Sequence, residues 1–177
     1  FYSLDVILVK HFFNAVDAGL YAAISLLGGK IVFFGSGSIS LVMFPKVAEL
    51  YAMKGEHRGV LYKSMLLVTI FGLSITLFYW LIPNFSVGLL FGKEYLNIAP
   101  MLWIFAALMT LFSLVYLLSF YNVSIHKNKF IYLLILFNII QVLLIYLFHE
   151  SLWQIVYIMS GTMLGLFLLL LAYTFKR

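Results

Sequence analysis

The sequence contains no cysteine, only 3 prolines, and few charged residues, which make up 10% of its length. Without cysteine the chain has no disulfide, no thiolate metal ligand and no cysteine nucleophile. A soluble domain carries about 25% charged residues, so this chain has too little polar surface to cover a water-soluble globule. The scarcity of charge excludes a soluble enzyme, a disordered protein and a fibrous protein.

Apolar residues dominate the sequence: 65% of its 177 residues are hydrophobic, and the mean hydropathy is +1.12. A membrane-spanning helix needs about 20 apolar residues, and polar breaks divide the chain into runs of about that length. Strands of a membrane barrel are about ten residues long and alternate in polarity. The pattern therefore predicts an all-α polytopic membrane helix bundle of about six transmembrane helices, the first one truncated. The predicted segments are 1–13, 18–45, 64–82, 99–121, 130–148 and 151–175.

Basic residues in the connecting segments fall mostly on one side of the predicted bundle. Successive connections alternate sides, so one side receives almost all of these residues and the other receives only Lys93. Cytoplasmic loops carry an excess of lysine and arginine, which predicts a multi-pass protein of the cytoplasmic membrane with a cytoplasmic C-terminus. The chain begins inside an apolar run, which favours a piece of a longer membrane protein. The basic residues on the predicted cytoplasmic side are Lys46, Lys54, Arg58, Lys63, Lys127, Lys129, Lys176 and Arg177.

Asp5, Lys10 and Lys30 are charged residues within predicted membrane segments. Such residues are rare and usually face a bundle interior or a water-filled cavity. Asp5 and Lys30 are predicted near mid-depth on neighbouring antiparallel helices. There they form either an ion pair that holds the two helices or part of a charged cavity for an anionic substrate, a coupling ion, or both. Lys10 is predicted nearer the interface, where its long side chain reaches the headgroups.

Small residues and amides provide further candidate sites. Gly35 and Gly37 lie in a glycine–serine run of the second segment, which predicts either close helix packing or a hinge in a moving helix. Asn138 and Gln141 share one face of the fifth segment, where they serve either interhelical hydrogen bonds or a polar cavity wall. No histidine has a second ligand at metal-binding spacing, so neither a metal nor a cofactor is predicted. The stretch 84–98 combines apolar anchors with a Lys–Glu pair and predicts an interfacial element on the outer side.

Short motifs occur in a fixed order along the chain: DVILVK at 5–10, AGLYAA at 18–23, MFPKVAE at 43–49 and LFGKEY at 90–95. Their order and their placement against helix ends resemble the polysaccharide-biosynthesis flippases, the Wzx-like family of the multidrug/oligosaccharidyl-lipid/polysaccharide (MOP) superfamily. The resemblance covers nearly the whole chain. It implies that residues 1–177 are the C-terminal six-helix lobe of a MATE-like two-lobe transporter, with the N-terminal lobe of the same protein as its partner.

The resemblance also implies a mechanism. In such a transporter a central cavity opens alternately to each side of the membrane, and a lipid-linked oligosaccharide on a polyprenyl diphosphate crosses through it while the lipid tail stays in the bilayer. Cationic groups must offset the diphosphate charge, which is the role implied for Lys30 and Lys10. A proton or sodium ion coupled at Asp5 is implied to drive the cycle. Membrane lipids and polysaccharide assembly machinery are the other expected partners, and nucleic acid is not expected.

Other functions compete with this interpretation. A drug or cation antiporter of the same superfamily shares the architecture but favours carboxylates over lysines in its cavity. A membrane-embedded transferase usually has acidic or histidine clusters near a membrane face, and the sequence has no DxD, HxxxxD or DG-rich motif. A structural or assembly subunit leaves the intramembrane charges unexplained. The sequence therefore favours transport of an anionic substrate and predicts that the protein is not an enzyme.

Overall fold

The computed structural model describes residues 4–176, which are helical apart from short connections and contain no β-strand. The predicted all-α class is confirmed. A π-helical segment, Ser25–Lys30, joins α2 to α3, and a 3₁₀ helix, Lys93–Met101, leads into α6. The helices are α1 (Leu4–Phe12), α2 (Ala15–Ile24), α3 (Ile31–Ala52), α4 (Arg58–Leu81), α5 (Pro83–Leu90), α6 (Leu102–Ser124), α7 (Phe130–Leu147) and α8 (Leu152–Phe175).

Five of the described helical runs are long and apolar enough to cross a membrane. Helix α1 has 9 residues, and at a rise of about 1.5 Å per residue it reaches about half of a 30 Å hydrocarbon core. The protein is therefore a helical, multi-pass membrane protein, with one short helix ahead of the longer runs. The membrane-spanning runs are Ala15–Ala52, Arg58–Leu81, Lys93–Ser124, Phe130–Leu147 and Leu152–Phe175.

The connection after the second predicted segment is shorter than the charge pattern indicates. The polar residues of 46–63 suggest a loop, but α3 continues through Pro45 to Ala52 and α4 begins at Arg58. An ion pair between Lys46 and Glu49, 2.9 Å long and one helical turn apart, lies on this extension of α3. The charges therefore mark where the apolar run ends, while the helix continues past it.

Helix α6 is the centre of the bundle. It packs against α3, α4 and α8 and is buried along most of its length. The side chains of Phe105, Leu117 and Leu118 are fully enclosed there. A helix that is apolar on all sides is expected to be surrounded by other helices. Helix α7, by contrast, buries little of its apolar surface and lies at the periphery.

Two helix crossings require glycine because the backbones approach closely. A Cβ at Gly72 of α4 would overlap the side chain of Thr110 on α6. A Cβ at Gly28 would lie 2.8 Å from the Cβ of Phe105, closer than carbon atoms pack. These contacts fix the positions of α4 and of the π-helical segment against the central helix.

One end of the bundle gathers most of the basic residues. Tyr62 at the start of α4 stacks on Phe175 at the end of α8, with ring centroids 5.6 Å apart. Lys127 Nζ donates to the carbonyl oxygen of Lys176 at 3.1 Å. The connections that the sequence assigns to one side therefore meet at one end. This end, named the basic end below, comprises 46–63, 124–129 and 173–176, and Arg177 lies outside the described residues.

The opposite end carries the stretch 84–98 that the sequence predicts at the membrane interface. It is built as α5 followed by the 3₁₀ helix, and Gly92 between them has a φ of 89°. Trp80 and Trp103 on either side are 59% and 38% exposed. Exposed tryptophans flanking a short amphipathic element are typical of a membrane interface.

Candidate functional site: polar groups buried between the helices

Asp5 is buried on α1, with only 1% of its surface exposed. Its Oδ2 accepts a hydrogen bond from the hydroxyl of Tyr21 on α2 at 3.0 Å. Tyr21 is fully buried, and the same hydroxyl lies 3.1 Å from Sδ of Met159 on α8. One phenol thus joins three helices around a carboxylate in the interior of the protein.

The Tyr21 hydroxyl has a single proton and two acceptors within reach. When Asp5 is ionised, the phenol donates to the carboxylate, because a charged acceptor forms the stronger bond. When Asp5 carries a proton on Oδ2, this O–H can donate to the phenol oxygen, and the phenol can donate to the sulfur of Met159, a weak acceptor. When the proton is on Oδ1, Oδ2 still accepts from Tyr21. Protonation of Asp5 therefore opens a second orientation for this hydroxyl.

Buried oxygen atoms without a hydrogen-bond partner occur on both α1 and α7. Among residues 4–176, Asp5 Oδ1, Asn138 Oδ1 and Gln141 Oε1 are buried without a hydrogen-bond partner. Asn138 shares a groove of about 370 Å³ with Leu4, the residue next to Asp5. A buried acceptor without a donor costs about 1–3 kcal/mol. These oxygen atoms can therefore bind a proton or a cation, or accept a hydrogen bond from a further donor.

The end of α1 is held by aromatic contacts. Phe12 stacks on His149 with ring centroids 4.1 Å apart and meets Tyr146 edge-on at 5.8 Å. His149 Nδ1 also lies 2.9 Å from the carbonyl oxygen of Tyr146. The turn between α7 and α8 thus anchors the helix that carries Asp5.

Lys30 is the half-buried last residue of the π-helical segment. A π-helical turn shifts the backbone bonds by one residue, and such turns are frequent at functional sites. On α4, Tyr79 donates its hydroxyl to the carbonyl oxygen of Leu27 at 3.1 Å. This bond ties the irregular segment to a neighbouring helix and so supports the backbone that presents Lys30.

The three predicted intramembrane charges lie at different places. In the structure the hydrogen-bond partner of Asp5 is Tyr21, whereas one alternative from the sequence paired Asp5 with Lys30. Lys30 lies on the same helical run as Tyr21, Ala15–Ala52, and is roughly 13 Å from it along the helix axis at about 1.5 Å per residue. Lys10 is exposed near the end of α1, on a different face from the buried Asp5. The predicted set therefore divides into an Asp5 group with Asn138 nearby, a separate Lys30 position and an exposed Lys10.

Gly35 and Gly37 lie within an uninterrupted part of α3. A Cβ at Gly35 would overlap the ring of Phe71, and beside these glycines Ser36 Oγ donates to Ser113 Oγ at 2.6 Å. These contacts are the close packing that the sequence offered as one alternative. The helix is irregular in the preceding turns, at Ser25–Lys30, and the hinge role of the glycines stays a prediction.

The sequence pattern did not single out Tyr21 and Tyr79. Tyr21 lies inside an apolar segment, whereas Tyr79 is next to Trp80 near the end of α4, where tyrosine in membrane proteins is common. A tyrosine within an apolar segment needs a buried acceptor for its hydroxyl. That signal predicts a polar partner for Tyr21 without identifying Asp5, and the position of Tyr79 gives no such signal.

The fold and these buried groups define a helical multi-pass membrane protein with charge placed between its helices. In the described part of the chain, no group of three or more histidine, aspartate and glutamate residues is arranged to hold a metal ion. Comparison with protein-family models, with curated proteins and with solved structures finds no match to this chain. Its function is therefore inferred from its own residues.

Proposed function

We propose that this chain is one lobe of a flippase that moves a lipid-linked oligosaccharide across the cytoplasmic membrane by alternating access. The observation that carries the proposal is the position of Lys30. This residue is half-buried well inside the 38-residue membrane-spanning run Ala15–Ala52, and it is the last residue of the π-helical segment. A charged side chain at the centre of a spanning helix costs at least about 2.5 kcal/mol. A function that uses the charge therefore accounts for Lys30 better than packing does.

A polyprenyl diphosphate headgroup is the anion that an ammonium group in this position suits best. The diphosphate must pass the hydrocarbon layer, where an uncompensated charge is strongly disfavoured. An ammonium group donates charge-assisted hydrogen bonds to phosphate oxygens and offsets part of that charge. The resemblance of the sequence motifs to oligosaccharide flippases supports the same substrate class.

The Asp5–Tyr21 pair provides a place where a coupling ion acts. Protonation of Asp5 removes a charge from the interior and allows the Tyr21 hydroxyl to donate to Met159 on α8. Because α1, α2 and α8 meet at this phenol, the proton alters contacts among three helices. We propose a proton as the coupling ion, with sodium as the alternative that the same oxygen atoms accommodate.

Antiport of a drug or an organic cation is the second candidate function. The observation that favours it is Asp5 itself, a buried carboxylate whose Oδ1 has no hydrogen-bond partner among the described residues. A carboxylate attracts a cationic substrate, whereas Lys30 repels it. The two residues therefore favour different substrates, and variants of each separate the two functions.

Orientation and a second lobe complete the proposal. Since cytoplasmic loops are rich in lysine and arginine, we assign the basic end to the cytoplasm. On α3, Phe34 and Val42 are 70% and 74% exposed. Lipid and an N-terminal lobe are the surroundings in which such apolar side chains are stable.

Complementation of a flippase-deficient strain tests the proposal. Lys30→Ala in the full-length protein is expected to abolish complementation at unchanged membrane levels, while Lys30→Arg retains part of it. Lys63→Ala, at the exposed basic end, is the matched control and is expected to complement fully. Full complementation by Lys30→Ala would remove Lys30 from the mechanism. Cation efflux that depends on Asp5 but not on Lys30 would favour the antiporter.

A further inference from the structure

At the basic end a cavity of about 730 Å³ lies between the ends of α3 and α6 and the start of α4. Its lining includes the polar side chains of Lys54, His57, His126 and Asn128. A second cavity of about 380 Å³ shares His126 and Asn128 with the first and adds Lys127, Lys129 and Lys176. No aspartate or glutamate is among the described residues that line either cavity, so each charged side chain in their lining is a lysine.

The nearest carboxylates do not line either cavity. Glu49 forms its ion pair with Lys46 on the exposed side of α3, at 2.9 Å. Glu56 precedes His57 in the chain and is exposed, and its charge acts on Tyr121, the hydrogen-bond partner of His57. The cationic groups of the cavity are therefore available to an anion from outside the chain.

Two of the lining residues have an unusual backbone conformation. Lys54 and His126 have φ values of 55° and 57°, and they are the described non-glycine residues with positive φ. Each follows the end of a helix, α3 or α6, at the position where glycine normally closes the turn. Side chains in left-handed conformations are disfavoured, and such residues cluster at ligand sites.

The helix ends around these two residues form the same closed turn. Gly55 N donates to Leu50 O at 2.8 Å, and Lys127 N donates to Asn122 O at 2.9 Å. These bonds occupy carbonyl oxygens that would otherwise repel an anion. The two turns therefore place the ammonium of Lys54 and the imidazole of His126 at a common cavity. Their hydrogen bonds also offset part of the partial negative charge on the carbonyl oxygens of the helix ends.

Aromatic contacts hold the imidazoles in place. Tyr51 meets His57 edge-on at 5.6 Å and His126 at 6.0 Å, so it bridges the two rings. His57 Nδ1 lies 2.9 Å from the hydroxyl of the buried Tyr121. When Tyr121 donates this bond, the proton of a neutral imidazole lies on Nε2, which leaves that nitrogen as a donor.

An apolar groove adjoins the cationic cavity and indicates the kind of anion. The groove has a volume of about 510 Å³, runs between α6 and α7, and is lined by Phe112, Phe120 and Ile131 among others. Val123 lines both the groove and the cationic cavity. An amphiphile fits this arrangement better than a free phosphate ion does. Its headgroup would occupy the cavity that holds Lys54, and its hydrocarbon chain would occupy the adjoining apolar groove.

We propose that the basic end binds an anionic lipid, with its phosphate held by Lys54 and His126 and its hydrocarbon chain in the α6–α7 groove. The site is distinct from Asp5 and Lys30 and does not require transport, so the complementation test above and the binding test below fail independently. We assign the site to a bulk anionic phospholipid, because its lysines lie at the end of the bundle that the charge pattern places in the cytoplasm, where the membrane surface is anionic.

The test measures binding of phosphatidylglycerol with a fluorescent acyl chain to the full-length protein in detergent micelles. The key variant is Lys54→Gly with His126→Gly, because glycine is the residue that these backbone positions favour. We expect the double variant to keep its thermal stability and to bind the probe about tenfold more weakly or worse, since loss of the charge-assisted bond from the Lys54 ammonium is worth about that factor. Ser119→Phe, which narrows the groove, should also weaken binding.

Lys63→Gln is the matched control, because it removes a positive charge at the same end without lining either cavity. Displacement of the probe by polyprenyl diphosphate at lower concentrations than by unlabelled phosphatidylglycerol overturns the assignment to a bulk phospholipid. Unchanged binding in the double glycine variant overturns the proposal, as does an equal loss in Lys63→Gln. Competition by phosphatidylcholine equal to that of phosphatidylglycerol, or by inorganic diphosphate equal to that of the lipid, also overturns it.

Discussion

The hydroxyl of Tyr21 and the Oδ2 of Asp5 lie 3.0 Å apart in the interior of the helix bundle. The first residue is fully buried and the second is 1% exposed. Neither side chain is in contact with bulk water that could replace its partner. The hydrogen bond between them therefore stabilises the carboxyl group in the interior.

A double-mutant cycle measures the coupling between Asp5 and Tyr21. Tyr21→Phe removes the donor, and Asp5→Leu removes both carboxylate oxygens while keeping a side chain of similar size. Because a buried polar group left without its partner costs about 1–3 kcal/mol, we expect each single variant to be destabilised. The double variant should lose less than the sum, by an interaction energy of at least about 0.5 kcal/mol. Denaturation of the purified protein gives the four free energies, and strict additivity would show that the bond does not contribute.

Tyr79 supports the π-helical segment through its bond to the Leu27 carbonyl oxygen. We expect Tyr79→Phe to lower the free energy of unfolding by about 1 kcal/mol and to reduce transport, because the segment presents Lys30. Tyr132→Phe is the control, since Tyr132 is 75% exposed. A variant Tyr79→Phe that matches the control in both stability and transport would contradict the supporting role.

Gly72 is where α4 and α6 approach most tightly. Gly72→Ala places a methyl group against Thr110, and overpacking of this kind typically costs about 1–3 kcal/mol. At Gly161 an added Cβ meets nothing within 4 Å, so Gly161→Ala should be neutral or slightly stabilising in its helix. Unfolding midpoints in detergent compare the two. Equal midpoints would mean that the crossing adjusts freely.

Gly92 lies in the LFGKEY motif with φ 89° and ψ 177°. This region of backbone conformation is essentially restricted to glycine. Gly92→Ala is therefore expected to destabilise the connection between α5 and the 3₁₀ helix by about 1–3 kcal/mol. Limited proteolysis should show faster cleavage near residue 92 than in Gly19→Ala, where an added Cβ also meets no neighbour within 4 Å. Identical cleavage would show that the turn adapts.

Much of the architecture could be predicted from the order of apolar and charged residues. Five of the six predicted segments overlap the membrane-spanning helices, and the first, 1–13, contains the short helix α1. Hydropathy is a property of the local sequence, so apolar runs can be located without knowledge of distant contacts. Helix ends were predicted less well. Lys46 marks the end of an apolar run, yet α3 continues to Ala52 because backbone hydrogen bonding does not stop where hydrophobicity does.

The candidate sites depended on contacts between residues far apart in sequence. The sequence identified Asp5 and Lys30 as unusual because charge in an apolar run is conspicuous by itself. It did not identify Tyr21 as the partner of Asp5, since a tyrosine gives the same signal whether it faces lipid or a carboxylate. The cationic cavity was also missed, because Lys54 and His126 are separated along the chain and each alone resembles an ordinary loop residue.

The sequence by itself determined that this is a helical membrane protein, how its apolar runs divide, and that its basic residues gather on one side. Those properties follow from composition and order, which the hydrophobic effect converts into structure with little dependence on distant contacts. Only the tertiary structure decided that Tyr21 satisfies Asp5, that a π-helical segment supports Lys30, and that two left-handed basic residues share one cavity. Each of these arrangements is set by close packing between helices, which fixes side-chain partners that no single segment specifies.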